Sequence, residues 1–237
     1  MKLSKIILIF MMAFIFTSLF ATNMILKKTY DQLDKSDLYW NYYTILKEPF
    51  KHIKIEGGNI TSIVFEPNNK CSVRVLDYWE GYIKDSTVKA YVKNDTLHFQ
   101  FLYKPANLGE KNALNNRPVI RIAAPELLSV EGFNTNFKMY KLQQASLKIK
   151  LFGKSSLKVE SNLSKFETLN ISQADTTKVT FEMNPAIKGS ATMKADAVTA
   201  RIQGVSILDI GHIQVLNPNF SIADTSAIII SGRTYRH

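Results

Sequence analysis

Apolar and polar residues alternate along most of the chain from Phe50 onward, and a period of two predicts β-strands buried on one face. The clearest early runs are HIKIEG (52–57), ITSIVFE (60–66), CSVRVL (71–76) and VKAYVKNDTLHFQF (88–101). Short polar segments separate these runs and predict tight turns, so we expect antiparallel hairpins in this half. Residues 104–118 carry two prolines and four asparagines without periodicity, which indicates a loop.

The second half repeats a unit of two short strands joined by a small polar corner. One apolar residue taken near each corner gives spacings of 21, 20, 31 and 20 residues. These marker residues are Val130, Leu151, Ile171, Ile202 and Ile222. The longer interval contains NPAIKGSATMKADAV (184–198), where we expect an additional short strand around Met193.

A strand repeat near 20 residues leaves no room for a helix and indicates a β-solenoid, because stacked coils bury the apolar row that one coil leaves exposed. The corners must turn within a few residues, so they use small side chains and hydroxyl groups that bind the bent backbone. The small residues are Gly153, Ala174, Gly204 and Ala223, and the hydroxyl residues are Ser155, Thr176, Ser206, Thr225 and Ser226. The alternative is an antiparallel sandwich of hairpins, which tolerates the uneven spacing better.

An uncharged apolar segment, residues 6–26, precedes the alternating region. At about 1.5 Å per residue, 21 helical residues just cross a hydrocarbon core of about 30 Å. A cleavable signal peptide is the alternative, but the one possible cleavage sequence, residues 19–21, begins with Leu19 where a small residue is needed. We therefore predict an uncleaved transmembrane anchor or signal.

The flanks of this segment suggest the organisation of the chain. Lys2 and Lys5 precede it and predict a cytoplasmic head at residues 1–5, although Lys27, Lys28 and Lys35 follow it and weaken the charge rule. Residues 27–49 form a juxtamembrane stalk and cap. The aromatic residues at 39–43 are interpreted as part of this cap, with a membrane-interface belt as the alternative. Residues 50–237 form the β-domain, which we place outside the cytoplasm, in the periplasm or at the cell surface.

Composition limits the classes of partner that the protein is expected to bind. The chain has 237 residues and a net charge of +10, and 46% of its residues are hydrophobic, as in a protein with a real core. A mild basic excess favours anionic glycans or lipopolysaccharide, and an extracytoplasmic location excludes nucleic acid as a partner. The single Cys71 cannot form an intrachain disulfide and is interpreted as a small buried side chain.

No motif predicts a cofactor, a metal site or a nucleophile. The histidines are isolated at positions 52, 98, 212 and 237, without the spacing that a metal site requires. The enzyme hypothesis is a polysaccharide-cleaving β-helix, in which Asp175 and Asp196, 21 residues apart, would lie on neighbouring coils. Acids beside such corners commonly serve turns, so we expect no enzyme and no catalytic residue.

Four lysines alternate with apolar residues in ASLKIKLFGKSSLKVES (145–161). Lys148, Lys150, Lys154 and Lys158 are predicted to form a row on the outer face of one coil, with Lys138 and Lys141 nearby. One hypothesis is an anionic-ligand surface that binds glycan or lipopolysaccharide phosphate. The other is a solvated face whose charges discourage edge-to-edge strand pairing.

The strand pattern resembles a known bacterial family, the "putative auto-transporter adhesin head GIN" domains. The positions that fit its opening strands are Phe50, Ile53, Ile55, Gly57, Val73, Val75, Val88, Leu97 and Phe99. The segment LKIKLFGKSSLKV (147–159) is similar to one of its rungs, and the likeness covers residues 50–232. The chain departs from the pattern at 173–175 and 223–224, where other residues replace the rung glycine. The resemblance implies a right-handed, β-helix-like fold in an exported envelope protein and transfers no catalytic or binding residue.

We therefore expect an all-β, membrane-tethered binding or scaffold module of the bacterial envelope, adhesin-like and non-catalytic. One alternative is an enzyme that degrades envelope polysaccharide. The other is a sensory or regulatory partner of a neighbouring envelope protein, which the stalk would contact. The ligand and the oligomeric state do not follow from the sequence.

Overall fold

A computed structural model describes residues 2–32, 37–59, 61–102, 118–141, 144–160, 165–182 and 193–230. By its internal contacts the chain divides into two compact units, Met1–Tyr42 and Tyr43–His237. The loop predicted at 104–118 lies outside the described residues except for Pro118, and the segment 183–192 also lies outside them.

The first unit is dominated by one long helix, α1 (Lys2–Gln32). Its residues 6–26 carry no charge, and hydroxyl side chains inside it bind the preceding turn, as where Thr17 Oγ1 donates to the Ala13 carbonyl at 2.9 Å. From Lys5 to Gln32 the helix is long and apolar enough to cross a membrane, a property that signal sequences share. The helix extends beyond the predicted span to Gln32, so Lys27 and Lys28 belong to it.

The rest of the described chain is mostly β-structure. The strands of the first half are β1 (Tyr42–Leu46), β2 (His52–Glu56), β3 (Ile63–Pro67), β4 (Ser72–Leu76), β5 (Val88–Lys93), β6 (Thr96–Phe101) and β7 (Ile120–Ala124). Those of the second half are β8 (Ser129–Phe133), β9 (Asn136–Tyr140), β10 (Ser146–Phe152), β11 (Lys154–Glu160), β12 (Lys165–Gln173), β13 (Thr176–Glu182), β14 (Met193–Ile202), β15 (Ile207–Asp209), β16 (Ile213–Ile222) and β17 (Ala227–Ile229). A 3₁₀ turn (Asp77–Trp79) and the short helix α2 (Glu80–Lys84) lie between β4 and β5.

These strands form two open, mixed sheets. The eight-stranded sheet has the order β16-β14-β12-β10-β8-β2-β6-β5, and the nine-stranded sheet has the order β1-β4-β7-β3-β9-β11-β13-β15-β17. From β8 onward, consecutive strands alternate between the two sheets, and from β10 onward each pairs in parallel with the strand two positions earlier. Leu157 of β11, for example, lies opposite Phe137 on one side and Val179 on the other.

The five marker residues lie on five neighbouring strands of the eight-stranded sheet, β8, β10, β12, β14 and β16. Their register matches the spacings only between Ile202 and Ile222, which lie opposite each other. Ile149 rather than Leu151 lies opposite Ile171, and Gln173 lies opposite Leu151. The strand expected around Met193 is not an additional one, because Met193 begins β14, the same ten-residue strand that contains Ile202.

Only one of the hairpins expected in the first half is found among the described residues. Strands β5 and β6 pair antiparallel across Asn94 and Asp95, whose φ angles of 50° and 56° are those of a tight two-residue hairpin turn. The expectation was wrong for β2 and β3, which lie in different sheets and have parallel neighbours. The glycines at 57 and 58, with φ of 90° and 79°, direct the chain into the other sheet instead of back along the same one.

The corners between the two sheets share a left-handed backbone conformation. The residues that adopt it on four successive corners are Asn134, Gly153, Asp175 and Gly204, with φ between 51° and 70°. Asp175 stands where the family pattern has glycine, and this substitution is tolerated because Asp and Asn enter the left-handed region more readily than other residues with side chains. Its carboxylate also accepts a hydrogen bond from the Gly153 N–H at 2.8 Å.

The core of the second unit consists of the inward-facing residues of both sheets. Val130, Ile149 and Ile171 are buried in one sheet and Phe137 and Leu157 in the other, each at 3% exposure or less. Their outward-facing neighbours along the strands are half-buried or exposed, as the period-two pattern predicts. The fold therefore separates a buried apolar face from a polar outer face on each sheet.

Candidate functional site

The four candidate lysines lie on two different sheets. Lys148 and Lys150 project from the outer face of β10 in the eight-stranded sheet, whereas Lys154 and Lys158 lie on β11 in the nine-stranded sheet. The row therefore does not lie on one face, because the corner at Gly153 divides it. Lys158 is also paired with Glu160 and Glu182, at 2.8 Å each. Burial alone would lower the pKa of Lys158, but these two hydrogen bonds outweigh it and raise the pKa.

The two acids of the enzyme hypothesis are kept apart by the register. Asp175 lies beside Gly204, whereas Asp196 lies between the residues that pair with Phe166 and Thr168. Asp175 and the β12 residues beside Asp196 are about eight residues apart, which corresponds to about 25 Å along the strand. The expectation that stacking would bring these two carboxylates together is wrong.

Three of the remaining candidates have structural partners, and His212 is exposed. His52 Nδ1 is 2.7 Å from Ser129 Oγ, and the ring of His98 stacks on Tyr91 at 4.9 Å. Cys71 is half-buried, with its Sγ 3.8 Å from the Phe50 carbonyl oxygen, and so is less buried than predicted. In the described part of the chain no three potential ligand residues gather into a group that could hold a metal ion. His237 lies outside the described residues.

A cavity of about 590 Å³ opens on the outer side of the eight-stranded sheet, next to its corners. We name it the corner cavity and define it by six lining residues, Lys54, Glu56, Gln100, Glu131, Phe133 and Phe152. They come from four neighbouring strands, β6, β2, β8 and β10. Gln100, Glu56, Phe133 and Phe152 lie side by side in register across these strands, and Lys54 lies beside Glu131.

One wall of the corner cavity is a network of charged and polar side chains. Lys54 Nζ lies 3.4 Å from Glu56 Oε1 and 3.2 Å from Glu131 Oε1. Gln100 Nε2 donates to the other oxygen of Glu56 at 3.0 Å. The hydrogen bond and the charge of Glu131 raise the pKa of Lys54 above its usual value, so the ammonium stays protonated between the two carboxylates.

The part of the cavity next to this network is aromatic. Phe133 is 50% exposed although its neighbours in the strand, Val130 and Gly132, are buried. Phe152 lies directly beside it on the next strand and is half-buried. Each phenylalanine is the last residue of its strand, immediately before a left-handed corner residue. The corner cavity can therefore offer an apolar ring face and fixed hydrogen-bonding groups to the same ligand.

Sequence analysis missed this site. The signal that was available is the pair of phenylalanines 19 residues apart, each placed just before a corner at the same point of the repeat. Lys54, Glu56 and Gln100 could not be joined to them, because the sequence does not show that β2 and β6 follow β8 in the same sheet.

Comparison with known proteins gives no family assignment. No family model matches the chain, and no curated protein matches it. A crystal structure described as a "putative adhesin" from Bacteroides fragilis has a TM-score of 0.39 and 11% identity, covering 79% of this chain and 94% of that one. A "putative adhesin" from Parabacteroides distasonis gives 0.36 and 11%, covering 81% and 94%, and a "putative lipid binding protein" from the same species gives 0.28 and 14%, with the same coverage. At these values the likenesses carry no argument about function, and membership of the adhesin-head family stays a prediction.

Proposed function

We propose that this protein is a membrane-tethered, extracytoplasmic binding module of the bacterial envelope that catalyses no reaction. The observation that carries the proposal is the corner cavity, where exposed aromatic side chains border a fixed polar network. Ligand pockets typically combine apolar and aromatic lining with a few convergent polar groups, within volumes of about 300–1,000 Å³. The corner cavity, at about 590 Å³, has both properties.

The rigid presentation of this site comes from the strand arrangement, which we interpret as a right-handed, β-helix-like solenoid. Its support is the alternation of strands between two sheets and the parallel pairing at intervals of 19 to 29 residues. Each corner residue then lies above the next, so the lining of the corner cavity is supported by backbone hydrogen bonds on both sides. One example is the Gly57 N–H, which donates to the Phe133 carbonyl at 2.8 Å.

The tether is α1. Its uncharged stretch is long enough to span a bilayer, and its exposed apolar side chains, Phe10, Phe14 and Phe20 among them, would be covered by lipid. We take α1 to be an uncleaved anchor, with the β-domain in the periplasm or at the cell surface. Alkaline extraction of membranes tests this, because an anchored chain stays in the pellet, whereas a cleaved one is released and shortened.

The absence of catalysis is part of the proposal. Glu56 and Glu131 lie within about 6.6 Å of each other, a separation at which two carboxylates could serve glycoside hydrolysis. Both accept hydrogen bonds from the same Lys54 ammonium, and this arrangement favours two anions over one acid and one base. The polar network is thus suited to holding a ligand and not to proton transfer.

Binding without turnover tests the function. The full chain, purified in a detergent that has no sugar headgroup, is presented with envelope oligosaccharides and lipopolysaccharide, and the bound material is analysed for cleavage products. We expect retention of a ligand and no products. The triple variant Lys148→Ala/Lys150→Ala/Lys154→Ala tests whether the lysines contribute, since binding through them would fall with added salt. Release of cleaved product would overturn the proposal.

A further inference from the structure

The polar wall of the corner cavity has unused hydrogen-bonding capacity. An ammonium group has three donors, and Glu56 and Glu131 account for two of those of Lys54. The two carboxylates have several acceptor positions each, and the three charged side chains are each about 40% exposed. A ligand with closely spaced hydroxyl groups would find donors and acceptors here in fixed positions.

The aromatic wall adds a requirement. A single exposed phenylalanine is ordinary on a protein surface. Phe133, however, lies beside Phe152 on one side and Glu56 on the other, so its ring borders the polar network directly. The face of an aromatic ring carries negative electrostatic potential and attracts weakly positive C–H groups. The preferred ligand therefore has hydroxyl groups at its edge and C–H groups on its flat face.

Charge excludes several ligand classes. Lys54, Glu56 and Glu131 together carry a net charge of −1, and Lys150, in register beside Glu131, brings the charge of this part of the sheet to zero. Without a net positive charge, the cavity has no electrostatic attraction for phosphate and other anions. An acyl chain would bury the carboxylates against hydrocarbon, at a desolvation cost that no partner would offset. A pyranose ring meets both conditions, since it combines hydroxyl edges with an apolar face. The volume of about 590 Å³ leaves room for more than one ring.

We infer that the corner cavity is a binding site for uncharged saccharides, in which a sugar ring stacks on Phe133 and its hydroxyl groups bind Glu56, Glu131 and Lys54. This inference rests on the proposed binding function and specifies its ligand class. It differs from the lysine hypothesis in its ligand, because that hypothesis requires an anion bound by Lys148, Lys150 and Lys154, of which Lys150 lies next to Glu131 at the edge of the cavity.

The test uses the full chain in a detergent without a sugar headgroup, because a glycosidic detergent would compete for the site. An array of neutral, amino and acidic oligosaccharides identifies a probe, and titration calorimetry and saturation-transfer NMR follow. We expect binding of a neutral oligosaccharide at about millimolar to micromolar Kd that changes little with salt. The strongest NMR transfer should be to the C–H protons of one ring face.

Three variants define the site. We expect Phe133→Ala to weaken binding about tenfold or more, Phe133→Trp to retain it, and Glu131→Gln to weaken it several-fold. The matched control is Leu216→Ala, which removes an apolar side chain of similar exposure (59%, against 50% for Phe133) on β16, four strands away from β8. Leu216→Ala should bind as the unmodified protein does. The tryptophan variant and the NMR contacts keep the test valid even if the alanine variant folds poorly.

The outcomes separate this inference from the proposed function. Neutral-sugar binding that survives Phe133→Ala overturns the inference. Retention of acidic saccharides alone, lost with salt and in Lys148→Ala/Lys150→Ala, also overturns it but leaves the binding function standing. Capture of an envelope protein with no saccharide retained has the same meaning. Cleavage of the saccharide overturns the proposed function itself.

Discussion

The left-handed corner at Gly204 allows a quantitative test of the fold. A Cβ atom placed on Gly204 would lie 2.5 Å from the carbonyl oxygen of Asp175 and 2.8 Å from its backbone nitrogen. These obstacles are backbone atoms of the neighbouring strand layer, so they cannot rotate away as a flexible side chain could. With φ at 70°, alanine would also adopt a conformation that L-residues disfavour.

The expected cost of Gly204→Ala follows from three contributions. A left-handed conformation costs an L-residue about 1–2 kcal/mol. Relief of the overlap by shifting packed backbone costs about 1–3 kcal/mol, as in other overpacked sites. Alanine regains about 0.4–1 kcal/mol because it reduces the entropy of the unfolded chain. The net loss in the free energy of unfolding is therefore about 1–5 kcal/mol.

Urea titration of the full chain in micelles measures this loss. Trp79 is 1% exposed and reports on the β-domain, and a Trp40→Phe background removes the other tryptophan signal. With an m-value of about 2 kcal/mol per molar urea, the midpoint should fall by about 0.5–2.5 M. Gly204→Asn separates the two causes, because asparagine tolerates the φ angle but keeps the Cβ; a similar loss would identify the overlap as the larger cause.

Gly81 provides the matched control. It lies in α2, and a Cβ there would meet no atom within 4 Å. Gly81→Ala should leave stability unchanged or raise it by up to about 1 kcal/mol, since alanine is the better helix former. A Gly204→Ala midpoint within about 0.2 M of the unmodified protein would refute the close packing of these corners, as would equal losses in both variants.

Three further predictions concern stability. Asp175→Asn should change the free energy of unfolding by less than about 0.5 kcal/mol, because asparagine keeps both the left-handed conformation and an acceptor for the Gly153 N–H. Asp175→Ala keeps neither and should cost about 1–3 kcal/mol. Equal urea midpoints for the two variants would contradict the corner description. Burial raises the pKa of Tyr140, so its contribution to stability is complete below its unfolded pKa of about 10 and is lost as the pH rises through the folded value. Tyr140→Phe should therefore lose less stability with increasing alkaline pH, measured by urea titration from pH 9 upward, and an unchanged slope would count against it. Phe166→Ala removes a fully buried ring and should cost about 3–5 kcal/mol in thermal or urea unfolding, while Phe133→Ala, at a half-exposed position, should cost less than about 1 kcal/mol; a reversed order would show that the two faces have been misassigned.

The strands could be predicted from the sequence because each buries one face. Ile53 and Ile55, and Leu147 to Leu151 in alternation, are buried as the period-two pattern required. The apolar helix was equally plain from residues 6–26. Both signals are local. In a strand, burial depends on whether a residue occupies an odd or an even position of the alternating pattern, and in the apolar helix it depends on an uninterrupted run of apolar residues.

Register could not be predicted, because it depends on irregularities that leave no local trace. In β12 the N–H groups of Glu167 and Thr168 both donate to the Ala145 carbonyl, at 2.7 and 2.9 Å, which marks a bulge that uses one extra residue. Corner length also varies, with one residue between β10 and β11 and two between β8 and β9. Leu151 and Ile171 lie two positions out of register because Leu151 is two residues before its corner at Gly153, whereas Ile171 is four residues before its corner at Asp175.

The corner cavity could not be predicted for a different reason. Its residues combine strands that are distant in sequence, and the position of β2 between β6 and β8 depends on where the first half of the chain joins the second. The lysine row was predicted from one continuous segment. The corner at Gly153 divides that segment between two sheets, so the lysines before and after it do not share a face. A linear pattern specifies which side of a strand is polar but not which other strands complete the surface.

The corner sequence constrains how this domain can change over time. Residues with a side chain alternate with glycines along the four left-handed corners, in the order Asn134, Gly153, Asp175 and Gly204. Gly153 has no room for a Cβ because the Asn134 amide occupies that space. A mutation that adds a side chain at Gly153 is then tolerated only if the side chain at Asn134 becomes smaller. Related sequences should therefore exchange these two residues as a compensating pair, whereas the corner at Gly204, which faces backbone atoms, should stay glycine.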